Sequence, residues 1–271
     1  MSLFSLDGRV AVVTGAAGLL GRRHCAALAE AGAHVVASDL DRGACVALSE
    51  DLRRANGREV LAAPCDVTDE RSVTALRDSV LEWRGRIDVL VNNAAVNEKV
   101  EEAPSGSERL SFETHPLDLW ERSLRVNVTG TFLCSRALGS AMASRGHGSI
   151  VNIASTYGIV APDPALYTEA DGTRSFYKSA AYPTTKGAVL AFTRFLAAYW
   201  GAAGVRVNAL SPGGVENGQP QAFKDRYAAR TPLARMAAPD DYAGALVFLA
   251  SDASAYMTGA NLVVDGGWTA W

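Results

Sequence analysis

The sequence predicts an α/β fold, one doubly wound and mostly parallel sheet of about seven strands flanked by helices. Three observations predict it. Short β-branched runs alternate with longer amphipathic stretches along the whole chain. Most of the short runs are near-continuously apolar, as strands covered on both faces require. The first run also leads straight into a glycine-rich turn and a helix. At 271 residues, with 48% hydrophobic and 20% charged side chains, the chain suits one large domain, read here as spanning 1–271.

In chain order, strands are expected at 9–14, 34–38, 59–64, 87–91, 149–153, 205–210 and 261–264. Helices are expected at 22–31, 72–83, 117–142 and 184–200. Such βαβ units place ligand sites beyond the carboxyl ends of the strands. The stretches 97–116, 157–181 and 213–232 are too long for simple connections and are read as substrate loops.

The first strand runs into Thr14-Gly15-Ala16-Ala17-Gly18-Leu19-Leu20-Gly21. Glycines here let the backbone approach a pyrophosphate, and the helix N-terminus offers it N–H groups and a positive dipole end. Gly15, Gly18, Leu20 and Gly21 are therefore cofactor-binding candidates in a dinucleotide-binding, Rossmann-like turn. The second strand ends at Asp39, whose carboxylate suits the ribose 2′-hydroxyl of NAD and repels the 2′-phosphate of NADP. NAD is the preferred cofactor. Asp39 or Asp41 can alternatively cap the next helix, and Arg22 and Arg23 offer a phosphate partner if the loop folds back.

Tyr182 and Lys186 form the only Tyr-x-x-x-Lys pair, which puts a phenol and an ammonium on one helix face. Bringing a tyrosine pKa from about 10 to near 7 takes roughly 4 kcal/mol. One cation at about 4 Å supplies approximately that at an effective dielectric of about 20. The pair is expected to make a phenolate base at neutral pH.

A net charge of −3 points away from nucleic-acid binding and from a polybasic membrane surface. No apolar run is long enough for a bilayer, and residues 1–9 lack a signal peptide's apolar segment. Cys25, Cys45, Cys65 and Cys134, like His24, His34, His115 and His147, are scattered without metal-site spacing. Reduced thiols in a cytoplasmic, metal-free protein are the expectation.

With these residues assembled, the chain resembles the short-chain dehydrogenase/reductase family over nearly its whole length. The resemblance rests on an ordered set: the turn at 14–21, Cys65-Asp66-Val67, Asn92-Asn93-Ala94-Ala95, Asn127, Ser155, Tyr182 with Lys186, Ser211-Pro212-Gly213 and Val264-Asp265-Gly266-Gly267. It implies that Asp66 and Val67 hold the adenine and Asn93 supports the cofactor-side loop. It further implies that Lys186 binds the nicotinamide ribose and tunes Tyr182, and that Ser155 hydrogen-bonds the reacting oxygen. Asn127 would hold a water leading protons to solvent, and the loop through Gly213 and Val215 would pass the nicotinamide amide. Members are commonly tetramers, so a homo-oligomer is implied, with the apolar 268–271 tail packing against a neighbour.

The chain departs from the family pattern in having Leu19 where glycine is usual, Ala95 after Asn-Asn-Ala, and Val215-Glu216-Asn217 after Pro-Gly. Ser155 and Tyr182 are also unusually far apart, which implies an insertion over 159–179 beside the site. The implied reaction is hydride transfer between NAD and a secondary alcohol or carbonyl. Tyr157, Asp163, Tyr167, Glu169, Asp171, Arg174, Tyr177, Lys178, Glu216, Asn217 and Gln219 make the loops polar. That composition favours a polyol, sugar or sugar derivative, and the chain resembles sugar-pathway members. The alternatives are a 3-oxoacyl or hydrophobic ketone reductase, and a non-catalytic NAD-binding sensor.

Overall fold

A computed structural model describes residues 2–97, 111–168, 171, 172, 174, 176 and 178–271. Seven parallel strands form one sheet: β1 (Val10–Thr14), β2 (His34–Asp39), β3 (Val60–Pro64), β4 (Val89–Asn92), β5 (Gly148–Ile153), β6 (Val205–Pro212) and β7 (Asn261–Val264). Their order is β3-β2-β1-β4-β5-β6-β7, so the chain winds outward from β1 in both directions and reverses between β1 and β4. A ligand crevice opens at such a reversal, above the strand ends.

Helices α1 (Leu19–Glu30), α2 (Arg42–Asn56) and α9 (Ala243–Ala250) cover one sheet face. Leu28, Leu48, Leu52 and Leu246 bury against Val13, Val35 and Val151 there. The other face carries α3 (Glu70–Arg84), a long helical rod and α7 (Ala181–Trp200), packed through Val80, Leu138, Met142 and Trp200 onto Val12, Leu90 and Ile150. Both faces being covered explains why the strands read as continuous apolar runs.

The expected strands are present, with ends moved by a residue or two, most at β4. The expected helix 117–142 is less regular. It comprises α4 (Leu117–Leu124), α5 (Thr131–Cys134) and α6 (Ser140–Ser144), joined by widened π-turns at Arg125–Gly130 and Ser135–Gly139. Helix α2 is closed by local signals: the Asp41 carboxylate accepts from the Ala44 amide at 3.0 Å, and Gly57 ends it at φ 65°.

The 213–232 stretch is not simply a loop, because it contains α8 (Gln221–Ala229). Phe223 and Tyr227 of α8 join Leu166, Tyr167, Phe176, Met236 and Trp268 in a small separate core. Trp268 stacks on Tyr227 at 4.4 Å and is buried within its own chain, whereas the expectation set it against a neighbour. Ala270 and Trp271 of that tail are open, Trp271 at 75% exposure. Residues 98–110, Glu169 and Tyr177, expected in substrate loops, lie outside the described residues. Among the described residues no helix is long and apolar enough to cross a membrane.

Candidate active site

The turn after β1 is shaped by two glycines for different reasons. Gly15 has φ +63°, and a Cβ there would come within 2.7 Å of the Ala94 Cα. At Gly21 a Cβ would lie 2.1 Å from the Gly15 carbonyl oxygen. Gly18 needs no left-handed backbone; at φ −72° it precedes α1 as its N-cap. The first-turn N–H groups of α1 lack intrahelical acceptors and so suit an anionic ligand. Leu19, where the family has glycine, is 40% exposed and lines the crevice beside Leu20.

Asn93 clamps this turn from the end of β4. Its Nδ2 donates to the carbonyls of Thr14 and Gly15 at 3.0 and 2.9 Å, and its amide donates to Thr14 Oγ1 at 3.1 Å. Thr14 was not among the expected site residues; its place just before the first glycine was the available signal. Asp39 reaches the same turn, accepting the Ala17 amide at 3.0 Å, while Asp41 is the residue that caps α2. Arg22 donates to the Ala17 carbonyl at 2.9 Å, and Arg23 faces Asp240 at 3.5 Å. Asp66 does not cap α3, a role taken by Asp69; it instead accepts from the Thr68 amide and hydroxyl at 2.8 and 2.7 Å. Val67 beside it is buried against Gly130 of the rod.

The donor set fits a dinucleotide. An amide-bearing helix start, a carboxylate at the β2 end and small residues at the close approach lie in line along the strand ends.

Ser155 follows β5, buried, with its Oγ accepting the Tyr157 amide at 3.1 Å. Tyr182 and Lys186 lie one turn apart on α7, as their spacing predicts. The Lys186 Nζ donates to the Ile153 carbonyl at 2.7 Å and lies 5.6 Å from the centroid of the Tyr182 ring. Burial raises the Tyr182 phenol above its ordinary value, and hydrogen bonding with Ser155 opposes that rise. Burial also lowers the Lys186 ammonium to about 8. The expected depression of Tyr182 is therefore not produced by these side chains alone. The ammonium lies over the ring face, and desolvation of a phenolate outweighs its attraction.

Asn127 is buried within the first π-turn, where its side chain leaves the rod altogether. Its Oδ1 accepts from the Val96 amide at 2.8 Å, and its Nδ2 donates to the Val96 carbonyl and Thr185 Oγ1, each at 3.0 Å. It thus ties the rod to the loop after β4 and to the helix carrying Tyr182. Thr185 carried no sequence signal beyond its place between Tyr182 and Lys186.

A crevice of about 290 Å³ brings together Leu20, Asn93, Ser155, Tyr182, Lys186, Gly213 and Val215. Asn127 stands behind it, and Asp39, Asp66 and Val67 lie outside it. Its outer wall comes from the loops expected to choose the substrate: Asn97, Tyr157, Tyr167, Lys178, Asn217 and Gln219 line it. Asp163 and Glu216 do not; they pair with Arg230 and Lys224. Tyr227, missed because α8 was read as loop, accepts the Gly214 amide at 2.6 Å and fixes the late loop. Among the described residues no cluster of His, Cys, Asp or Glu could hold a metal ion, and all four cysteines are buried and free.

Comparison with known proteins gives consistent matches. A family model described as enoyl-(acyl carrier protein) reductase matches residues 15–269. D-threitol dehydrogenase of Mycolicibacterium smegmatis is 41% identical over 272 residues, covering 98% of this chain and 95% of that protein. Cis-4-hydroxycyclohexanecarboxylate dehydrogenase of Sinomonas cyclohexanicum is 38% identical over 271 residues, covering 97% of each. Among solved structures, a gluconate 5-dehydrogenase from Burkholderia cenocepacia J2315 in complex with NADP and tartrate superposes with a TM-score of 0.86. It is 34% identical and is matched over 99% of this chain and 98% of that one.

Proposed function

The chain belongs to the short-chain dehydrogenase/reductase family, and we propose that it uses NAD to oxidise a secondary hydroxyl of a polyol, sugar or sugar derivative. The observation that carries this reading is the meeting of Ser155, Tyr182 and Lys186 in one crevice beside the glycine turn. A scaffold or sensor has no need of a half-buried phenol matched to a buried cation.

In this reading the nicotinamide ring, when bound, accepts the hydride. Tyr182 takes the proton of the reacting hydroxyl, and Ser155 holds that oxygen as charge develops, a donor worth a few kcal/mol. Lys186 fixes the ribose and supplies positive charge beside the phenol. Asn127, through Thr185 and Val96, keeps the rod and α7 in register so that a proton can leave past Lys186.

NAD over NADP is supported by the Asp39 carboxylate, held at the glycine turn where a 2′-phosphate would be repelled. The polyol class is supported by the polar outer wall and by the named activity of the threitol relative. We read residues 1–271 as one catalytic unit working in the cytoplasm, where its four buried thiols stay reduced. We also read it as a homo-oligomer. An aromatic ladder on α7, Phe192, Phe195 and Tyr199, continues from Phe132 of the rod with centroids 5.8 to 6.3 Å apart. Phe195 and Tyr199 are 60% and 68% exposed, a face suited to a second copy.

The test follows NADH absorbance with a panel of polyols, sugars and hydrophobic alcohols, for wild type and Tyr182→Phe. Turnover of a polyhydroxylated substrate should fall by roughly 10²- to 10⁴-fold in the variant. Equal turnover by both proteins would overturn the assignment of Tyr182, and turnover of only hydrophobic alcohols would overturn the substrate class.

A further inference from the structure

We propose that Tyr227 and Tyr242 are positioning residues that hold the Gly213–Gly214 peptide at both ends and so aim the Val215 amide at the nicotinamide amide. The inference rests on the oxidoreductase reading above and deepens it.

The Tyr242 hydroxyl donates to the Gly213 carbonyl at 3.1 Å, and the Gly214 amide donates to the Tyr227 hydroxyl at 2.6 Å. That carbonyl and that amide belong to one planar peptide unit, so two phenols grip it at opposite ends. The peptides on either side are held by backbone. The Gly213 amide donates to the Val264 carbonyl at 2.9 Å, and the Gly214 carbonyl accepts the Ala237 amide at 2.9 Å. Among the described residues the peptide between them has no backbone partner, only the phenols.

The grip has something to resist. Gly213 and Gly214 line both the crevice of about 290 Å³ and a second hollow of about 190 Å³, so the peptide has open volume beside it. Neither glycine has a positive φ; both serve close approach instead. A Cβ on Gly214 would lie 2.6 Å from a carbon of the Tyr227 ring, and one on Gly213 would lie 2.9 Å from the Asp265 Cα. The phenols are themselves fixed, since Tyr242 is fully buried and Tyr227 stacks on Trp268 at 4.4 Å. Burial raises both above the ordinary tyrosine value, which keeps them protonated at neutral pH.

The effect reaches the crevice through Val215. Val215 bridges Ala237 in parallel register, through the bonds that the Gly214 carbonyl and Glu216 amide make to Ala237. Such pairing leaves the bridging residue's own N–H and C=O pointing away from its partner. The Val215 carbonyl accepts from Gln219 Nε2 at 3.1 Å, while its amide has no acceptor among the described residues. Val215 lines the crevice, so this donor is available there to a bound amide. A peptide that turned at 213–214 would redirect it.

The test reads cofactor binding and, separately, the peptide itself. NADH and ADP-ribose, which lacks the nicotinamide, are titrated calorimetrically into wild type, Tyr227→Phe, Tyr242→Phe and the double variant. Each single variant should bind NADH roughly tenfold more weakly, the scale of one lost hydrogen bond, and should bind ADP-ribose as wild type does. The double variant should be no more than about twofold weaker than the weaker single one, because a peptide freed at one end is already free to turn. In the unliganded protein, Tyr242→Phe should speed hydrogen exchange of the Gly214 amide, although the bond it removes is at the Gly213 carbonyl.

Equal losses for NADH and ADP-ribose overturn the proposal, since they mark a general loosening of the fold. So do losses that multiply in the double variant, an unchanged NADH affinity, or a Gly214 amide indifferent to Tyr242→Phe. Any of these leaves the oxidoreductase reading intact. A wild type that binds neither NADH nor ADP-ribose overturns that reading, and the positioning role with it.

Discussion

Asp39 accepts the Ala17 amide across 3.0 Å, which pins the carboxylate closing β2 to the glycine turn that follows β1. One ends a strand and the other lies in the turn after its neighbour, and their contact places a carboxylate at the glycine turn, where the proposed cofactor reading puts the adenosine ribose. Asp39→Ser should therefore change cofactor choice. The ratio of kcat/KM for NAD to that for NADP should fall by roughly tenfold or more, as loss of a charge-based discriminator implies. Initial rates with both cofactors at one saturating substrate concentration check it, and an unchanged ratio would move the discrimination elsewhere.

Oxidation should be favoured by alkaline pH. The Tyr182 phenol is raised by burial, so below that value its ionised fraction grows about tenfold per pH unit. Log kcat/KM for oxidation should then climb from pH 6 with a slope near one. The climb should flatten above about pH 8, where the Lys186 ammonium loses its proton. Reduction needs the protonated phenol and should show no such climb. Profiles in both directions decide this, and a flat oxidation profile would exclude Tyr182 as the titrating base.

His24 should make the protein acid-sensitive. It is fully buried on α1, neither ring nitrogen has a well-aligned hydrogen-bond partner, and burial lowers its pKa to about 4, with Asn93 offsetting the lesser part. An unfolded histidine titrates near 6.5, so between about 6.5 and 4 the unfolded state binds the extra proton and stability falls as pH drops. Relative to His24→Leu, wild type should lose about 2 kcal/mol between pH 7 and 5, at about 1.4 kcal/mol per unit. Urea unfolding of both proteins at the two pH values measures it.

Asn127→Ala should destabilise the chain by about 1 to 3 kcal/mol, because it removes the partner of the half-buried Val96 amide and carbonyl and one of the two hydrogen bonds of the buried Thr185 hydroxyl, which still donates to the Tyr182 carbonyl. Activity should fall further than stability accounts for, since the lost bonds position the helix that carries Tyr182 and Lys186. Denaturant midpoints alongside kcat at a temperature where the variant is fully folded separate the two effects.

Phe195→Glu combined with Tyr199→Glu should reduce the assembly to a smaller species, as charge on the exposed ladder would be buried unpaired in an interface. Light scattering behind size-exclusion chromatography reads the mass. An unchanged mass above that of the monomer would place the interface on another face, and a wild-type monomer would remove it.

Much of the site is legible in the chain because it depends on local rules. Gly15 is needed for a positive φ, and Tyr182 and Lys186 share a face because a helix repeats every 3.6 residues or so. The strands could be found because burial on both faces demands unbroken apolar runs. The α8 helix was missed because its apolar residues are few and it is held by Tyr227 and Phe223 packing on Trp268 and Tyr167, partners remote in sequence. The regular helix expected over 117–142 likewise gave way to π-turns, one of which directs Asn127 out to Val96 and Thr185.

The sequence by itself determined the sheet, the order of its strands along the chain and the reaction class, since these follow from periodicity, glycine stereochemistry and an ordered set of short motifs. Only the tertiary structure decided the electrostatics. Lys186 stands over the ring of Tyr182 and lets burial raise the phenol, Asp39 is drawn to the glycine turn, and Lys178 returns from the insertion to face the same phenol. Spacing along a chain fixes which residues can meet. Desolvation and the direction of approach, which set the strength and sign of a charge's effect, exist only once the elements are packed.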